Sequence, residues 1–158
     1  MKFIRKPKIY LETTLWNFMF TDDAPEKQEI TQRFFQQLDL YEIFISDLVL
    51  AELQQTLEPK RSDMIDLINS KKPAILEISE EVEQLAQKYI EAEILTDKHK
   101  NDILHIAVAV VNDLNMLISW NMKHIVRVKT RQGINAVNRL FGYKEIEIVN
   151  PQEIVEYE

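Results

Sequence analysis

The sequence contains no cysteine and only two glycines among its 158 residues. Without cysteine, disulfides, zinc–thiolate sites and thiol catalysis are excluded, so a metal would have to be held by oxygen or imidazole ligands. The two glycines, Gly133 and Gly142, cannot build a Walker A loop or a GxGxxG dinucleotide turn. These absences exclude the nucleotide-cofactor classes.

Long hydrophobic runs are also missing, since no stretch approaches the roughly 20 apolar residues of a membrane-spanning helix. The opening MKFIRKPKIYLE leads into a strand pattern and not into the apolar region of a signal peptide. With 158 residues, 46% of them hydrophobic, the chain has the size of one ordinary domain. We therefore expect a single domain over residues 1–158, soluble and cytoplasmic, with no membrane partner.

Acidic residues are absent from residues 114–144, although the whole chain has a net charge of −7. We call this segment the basic tract, because it contains six basic residues: Lys123, Arg127, Lys129, Arg131, Arg139 and Lys144. Such a tract on an acidic protein indicates either a local track for phosphates or a solvated face on which charges cluster by chance.

Short apolar segments alternate with helical patterns along the whole chain. Strands are predicted near residues 8–12, 43–46, 74–78, 116–120 and 145–149. Helices are predicted near residues 14–20, 25–38, 47–57, 61–70, 80–93, 102–111 and 132–141, and the penultimate one is apolar nearly all round. The alternation predicts βαβ units and a mostly parallel five-stranded sheet covered by helices on both faces, a three-layer α/β/α domain. In such sheets ligands bind at the carboxyl ends of the strands.

Polar side chains are predicted at that edge of the sheet. Glu12 closes the first strand, and Ser119 and Asn121 lie at the end of the fourth. Glu52 and Asp102 add carboxylates from helices whose other residues are apolar, where an unpaired acid is costly to bury. Glu12, Glu52 and Asp102 with the Asn121 amide would provide enough oxygen ligands for Mg²⁺ or Mn²⁺, and such a site activates water against a phosphodiester.

A plainer interpretation remains open, because acids make up 26 of the 158 residues. Glu52 and Asp102 would then cap helices or pair with nearby bases, while Glu12 faces water. His105, on the same helix face as Asp102, suits a metal ligand, a proton shuttle or a hydrogen-bonded core histidine. His99 and His124 suit phosphate contacts or plain surface positions. The same two alternatives, base stacking or packing, apply to the aromatic residues Trp16, Phe18, Phe20 and Trp120.

Four segments, IYLETTLWNF, ISDLVLAELQ, KNDILHIAVAV and MLISWNMKHI, resemble in order and spacing the PIN-domain family, and in particular the VapC-like toxins of toxin–antitoxin pairs. The resemblance extends over about the whole chain. It implies a parallel sheet between helical layers and a Mg²⁺- or Mn²⁺-dependent ribonuclease. It also implies a homodimer that a cognate antitoxin holds silent.

Position by position, the resemblance places the first acid of the family on Glu12, the helix glutamate on Glu52 and the third acid on Asp102. The fourth acid falls on Asn121, and the small hydroxyl residue beside it on Ser119. The family usually has Asp at the first and fourth positions. Glu12 keeps the charge with a longer reach, whereas Asn121 keeps an oxygen and has no charge.

Two functions of different classes follow from this pattern. The leading hypothesis is a metal-dependent endoribonuclease in which Glu12, Glu52, Asp102 and Asn121 form the catalytic site. We expect RNA binding by the basic tract, through Lys123, Arg127 and Arg131. The alternative is a weakened or inactive PIN scaffold that binds RNA or a protein partner. A phosphohydrolase of another open α/β family ranks below both, because the first strand lacks the DxD nucleophile pattern.

Overall fold

A computed structural model describes residues 5–157, so residues 1–4 and 158 of the predicted domain lie outside the described residues. Its centre is a five-stranded sheet of order β3-β2-β1-β4-β5, in which every neighbouring pair is parallel. The strands are β1 (Lys8–Leu11), β2 (Glu42–Ser46), β3 (Ala74–Leu76), β4 (Met116–Ile118) and β5 (Glu147–Val149). The predicted α/β class and the five strands are confirmed, and the sheet is entirely parallel.

Eight α-helices connect and cover the strands within residues 5–157. They are α1 (Thr13–Phe18), α2 (Pro25–Phe35), α3 (Asp47–Leu53), α4 (Lys60–Lys71), α5 (Glu80–Glu91), α6 (Lys100–Val111), α7 (Val128–Leu140) and α8 (Pro151–Ile154). Helices α1 to α4 pack against one another, and α5 packs against α6 and α7. Because right-handed crossovers run first towards β3 and then back towards β5, the two groups cover opposite faces of the sheet. None of the helices in the described part of the chain is long and apolar enough to cross a membrane.

Helix α6 is the most deeply buried helix, as its apolar pattern predicts. Every residue from 103 to 110 is buried, and His105 is the one polar side chain among them. On the sheet side, Ile9, Tyr10 and Leu11 of the central strand are fully buried. Between α6 and the central strand the core therefore encloses the polar groups of Tyr10 and His105, which must find hydrogen-bond partners inside it.

Several element boundaries differ from the predicted ones. Helix α7 begins at Val128, whereas the sequence pattern predicts a start near residue 132. Thr130 explains the earlier start, since it is buried and its hydroxyl donates to the His124 carbonyl, which holds the loop before the helix. Helix α8 is absent from the predicted elements. It begins at Pro151 behind a capping box formed by Asn150 and Glu153, because a proline fits the first position of a helix.

Candidate metal centre

The sheet reverses its direction of growth between β1 and β4, and the predicted site residues gather at the carboxyl ends of these strands. Glu12 directly follows β1, and its backbone N–H donates to the carbonyl of Ile118 in β4 at 3.1 Å. Ser119 follows β4 and Ser46 ends β2. This is the switch point of a doubly wound sheet, where the crossover loops leave a crevice for ligands.

The Glu12 carboxylate is held from one side only. Its Oε1 accepts hydrogen bonds from the Thr14 backbone at 3.2 Å, the Thr14 hydroxyl at 2.6 Å and the Ser119 hydroxyl at 2.7 Å. Glu12 is 4% exposed and caps the N-terminus of α1, so the helix start favours its charge. All three bonds fall on Oε1, which fixes the orientation of the second oxygen, Oε2.

The Glu52 carboxylate approaches the same place from α3. Its Oε1 accepts from the hydroxyl of Thr13 and is 2.8 Å from Nε2 of His105. Its Oε2 is 3.5 Å from the amide nitrogen of Asn101. The Glu52 side chain therefore contacts α1, on one face of the sheet, and α6, on the other face. It is partly accessible to solvent.

His105 connects Glu52 to the interior of the protein. Its Nδ1 is hydrogen-bonded to the Tyr10 hydroxyl at 2.6 Å, and that hydroxyl is bonded to Ser46 Oγ at 2.8 Å. His105 is fully buried, which agrees with a hydrogen-bonded core histidine, but its second nitrogen faces a site carboxylate. The chain Glu52–His105–Tyr10–Ser46 orients the carboxylate through groups that are themselves locked by packing.

The electrostatics of this edge follow from burial and from the close charges. Burial favours the neutral form of His105, but the hydrogen bond to Glu52 and the negative charges of Glu12 and Glu52 outweigh it and raise the pKa of His105. Burial also acts to raise the pKa of Glu52, but the hydrogen bond and charge of His105 and the Thr13 hydroxyl lower it overall. Burial raises the pKa of Asp102 against the opposing charges of the nearby histidines.

Asp102, in the first turn of α6, is connected to the loop after β4. Asn121 donates from its amide nitrogen to Asp102 Oδ1 at 3.2 Å, and its own oxygen accepts from the His124 backbone at 3.0 Å. The backbone N–H of Asn121 donates to Ser119 Oγ at 2.9 Å. Because its oxygen is engaged by His124, Asn121 positions Asp102 and does not point an oxygen at the acids.

The predicted carboxylates meet at one edge but fall into two groups. Glu12, Glu52 and His105 each place one ligand atom within 4.8 Å of the others, and Asp102 does the same with His99 and His124. Asn121 and Ser119 join the two groups. Sequence reasoning missed the supporting residues Thr13, Thr14 and Tyr10. A signal was available for one of them, since Thr14 stands two residues after an N-cap position.

The free carboxylate oxygens decide whether a hard cation fits this edge. Within residues 5–157 no buried side-chain oxygen or nitrogen lacks a partner, so Oε2 of Glu12, with no hydrogen bond, is in contact with solvent. Oε2 of Glu52 makes only its long contact with Asn101, and Oδ2 of Asp102 is 3.9 Å from His99 Nδ1. Each acid thus presents a weakly engaged oxygen, which is the donor chemistry that Mg²⁺ and Mn²⁺ require.

The predicted RNA-binding side chains lie in the loop after β4 and at the start of α7. Lys123 and Arg127 are exposed, and Arg127 donates to the Lys123 carbonyl at 3.3 Å. Arg131 is partly engaged, since it donates to the Ile148 carbonyl at 3.4 Å and lies 3.7 Å from Glu153. Lys123 and Arg127 therefore belong to the same loop as Asn121, which contacts Asp102.

The charged pair of Glu52 and His105 predicts a pH profile for the metal-free protein. The raised pKa of His105 means that its contribution to stability is complete below the ordinary value of 6.5 and is lost as the pH rises through the folded-state pKa. The lowered pKa of Glu52 means that its contribution is present above 4.5 and is lost as the pH falls through the folded-state pKa. The pair therefore stabilises the fold most between pH 4.5 and pH 6.5.

An NMR titration of the His105 ring measures this directly. We expect a pKa above 6.5 in the metal-free protein and a lower pKa in Glu52→Gln than in wild type, because burial then acts with less opposition. Glu42→Gln is the matched control, since Glu42 is exposed at the opposite end of β2. A wild-type pKa below 6.5 would show that the charged pair does not form.

Comparison with known proteins tests the fold. No family model and no curated protein matches the sequence. Among solved structures 11 chains match, including a chain from the crystal structure of VapBC2 from Rickettsia felis bound to a DNA fragment from their promoter. That match has a TM-score of 0.57 and 18% sequence identity, and covers 90% of this chain and 98% of that chain. The chain therefore has the three-layer PIN-type α/β/α fold that its resemblance to the VapC-like proteins predicted.

Proposed function

We propose that the chain is a single PIN-type domain that acts as a metal-dependent endoribonuclease, with Glu12, Glu52 and Asp102 as the metal ligands. The observation that carries the proposal is that three carboxylates lie at the switch-point edge of the sheet, Glu12 and Glu52 in one group of ligand atoms and Asp102 in the adjacent group, each with a weakly engaged oxygen. Burying acids at one edge costs stability unless a cation or a partner compensates for it. A cation-binding role explains why these acids stand together.

The proposed site contains metal ligands and residues that hold those ligands in position. Glu12, Glu52 and Asp102 would hold Mg²⁺ or Mn²⁺, which when bound supplies the activation of a water molecule and neutralises charge on the phosphoryl group. The hydroxyls of Thr14 and Ser119 fix Glu12, and Asn121 fixes Asp102. Such positioning groups keep the ligands in place before substrate binds, which lowers the cost of reorganisation.

The proposed substrate is RNA, in keeping with the resemblance to VapC-like toxins. A phosphate backbone needs cations beside the acids, and the exposed side chains of Lys123 and Arg127 provide them in a protein whose net charge is −7. A metal-activated water makes a protein nucleophile unnecessary, which agrees with the absence of cysteine. The reaction would be hydrolysis of a phosphodiester bond.

The rival function is a PIN scaffold that binds RNA or a protein partner without cutting. Asn121 favours it, because the position that usually has a fourth acid has no charge and its oxygen is occupied by the His124 backbone. The three remaining acids favour the enzyme. Metal affinity separates the two functions, since a scaffold has no need of it.

Metal titration and RNA cleavage together test the enzyme. Wild type should bind Mn²⁺ or Mg²⁺ in calorimetry, melt at a higher temperature with metal and cleave a structured RNA. Asp102→Asn and Glu52→Gln should remove the thermal shift and lower cleavage by about 100-fold or more, since even outer-shell losses cost about 10- to 100-fold. Metal-free Asp102→Asn should be at least as stable as wild type, because one of the mutually repelling charges is gone.

Two further variants complete that experiment. Glu42→Gln removes an exposed acid at the opposite edge of the sheet and should change neither binding nor cleavage. Asn121→Asp adds the fourth charge beside Asp102 and should tighten metal binding, while the metal-free protein becomes less stable through the new pair of carboxylates. If neither wild type nor Asn121→Asp binds Mn²⁺ or Mg²⁺ at millimolar concentration, the scaffold is the better description.

The basic tract predicts salt-dependent binding of RNA. Replacing Lys123, Arg127 and Arg131 by Gln should weaken binding and reduce the slope of log affinity against log salt by about 0.7 for each single-strand phosphate that is no longer neutralised. Of the three substitutions, we expect Arg131→Gln to change the slope least, because Arg131 already forms an ion pair with Glu153. Arg139→Gln is the control within the tract, since Arg139 pairs with Glu145. An unchanged slope in the triple variant would show that the tract does not bind phosphates.

The partners proposed from the family resemblance are a second copy of the chain and a cognate antitoxin. The matched crystal structure is of VapBC2, which supports an antitoxin partner. Exposed apolar side chains at the end of α7, Leu140 at 76% and Phe141 at 45%, support pairing through helices. Light scattering should give twice the 18.7 kDa of one chain at micromolar concentration. A monomer under these conditions would count against the homodimer. A neighbouring reading frame that lacks a DNA-binding motif would count against a cognate antitoxin.

A further inference from the structure

A second cluster of metal-ligating side chains stands beside the carboxylates. His99 ends the 3₁₀ turn Asp97–His99, Asp102 follows in the first turn of α6, and His124 lies in the loop after β4. The two imidazole rings are stacked with their centroids 3.9 Å apart. One ligand atom of each of the three residues lies within 4.8 Å of the other two. Two segments separated in sequence, residues 99–102 and the loop after β4, thus bring two imidazoles and one carboxylate to one point.

In the described part of the chain, the ring nitrogens of this cluster and Oδ2 of Asp102 are free of hydrogen bonds. Within residues 5–157 the ring nitrogens of His99 and His124 make no hydrogen bond, and the nearest polar contact is 3.9 Å between His99 Nδ1 and Asp102 Oδ2. The backbone of the cluster is fixed instead. Asn121 accepts from the His124 backbone N–H and donates to Asp102 Oδ1, so it holds two of the three residues and leaves Oδ2 free. A metal site requires free ligand atoms on residues whose backbone is fixed, and this cluster has both.

The spacing suits a small divalent ion after modest side-chain rotation. Metal–nitrogen bonds of about 2.0–2.1 Å place two tetrahedral ligands roughly 3.4 Å apart. His99 Nδ1 and Asp102 Oδ2, at 3.9 Å, are close to that distance, and all three ligand atoms lie within 4.8 Å of one another, so metal binding requires the side chains to rotate inward. Three protein ligands also leave at least one position for water or another oxygen ligand, as in open zinc sites.

The two imidazoles of this cluster favour a different class of metal ion from the one that the carboxylates favour. Imidazole nitrogens suit borderline ions such as Zn²⁺ or Ni²⁺, whereas Mg²⁺ and Mn²⁺ prefer oxygen ligands and Mg²⁺ retains its waters. Charges of both signs surround the cluster. Asp97 lines the same pocket of about 400 Å³ as His99 and Asp102, together with Lys98 and Lys100, and Lys100 is paired with Glu83 at 3.3 Å.

We propose that His99, His124 and Asp102 form a second metal site, which takes a borderline divalent transition metal such as Zn²⁺. The second site lies at the same edge of the sheet as the carboxylates of Glu12 and Glu52. Asp102 belongs to both proposed sites. The site does not depend on nuclease activity, because its ligands bind a transition metal whether or not the acids support hydrolysis. It also explains the role of Asn121, which braces the two residues it contacts.

Calorimetric titration with Zn²⁺ tests the site on the full chain. His99→Gln and His124→Gln should each weaken Zn²⁺ binding by at least about tenfold, since loss of an outer-shell group alone costs that much, and the double variant should remove it. Lys98→Gln, on the same 3₁₀ turn, is the matched control and should not weaken Zn²⁺ binding, because it removes a nearby positive charge and no ligand. Glu52→Gln should also retain Zn²⁺ binding, although Glu52→Gln loses Mg²⁺ binding if the proposed ribonuclease is correct.

NMR of the wild-type protein provides a second readout that needs no substitution. One equivalent of Zn²⁺ should shift the ring resonances of His99 and His124 and leave those of the buried His105 in place. Unchanged Zn²⁺ affinity in the double variant, or a shift of His105 instead of the other two, would overturn the inference. Absence of Mg²⁺ binding and cleavage in wild type would overturn the ribonuclease and not this site.

Discussion

A carboxylate that is almost completely buried at the end of the central strand has to be surrounded by donors, and Glu12 imposes this requirement on its neighbours. The chain meets it with the start of α1 and the end of β4: Thr14 donates twice and Ser119 once, all to one oxygen. Thr14 also accepts from the Trp120 backbone at 2.8 Å, which ties the two segments together. The donors that hold Glu12 therefore also join the first and fourth strands at the edge where ligands bind.

The pair of Glu52 and His105 extends this constraint into the core. A partly buried ion pair is weak evidence for stability, because desolvation offsets much of the attraction between the charges. Helix α6 is otherwise apolar over residues 103–110, so an apolar side chain at His105 would fit its pattern better. The departure from the pattern is explained by Glu52, which His105 orients. Tyr10, itself hydrogen-bonded to Ser46, holds His105. Local costs of this kind are typical of functional sites.

The edge of the sheet offers two kinds of ligand side by side. Glu12 and Glu52 present oxygens, and His99 and His124 present nitrogens near Asp102. Asn121 lies between these two groups. Its amide nitrogen donates to Asp102, its amide oxygen accepts from the His124 backbone N–H, and its own backbone N–H donates to Ser119. The neutral amide makes this arrangement work, because a carboxylate at the same position has no N–H to donate to Asp102.

The sequence by itself determined the alternation of strands and helices, the burial of α6 and the edge at which Glu12, Glu52 and Asp102 lie. These features follow from local periodicity and from the fixed hand of crossovers. The start of α7, the orientation of Asn121 and the division of the ligands into two groups were decided by the tertiary structure. The hydrogen bonds that set the two groups join residues far apart in the chain, 107 positions between Glu12 and Ser119 and 53 between Glu52 and His105. Such contacts depend on packing between elements, which local patterns do not encode.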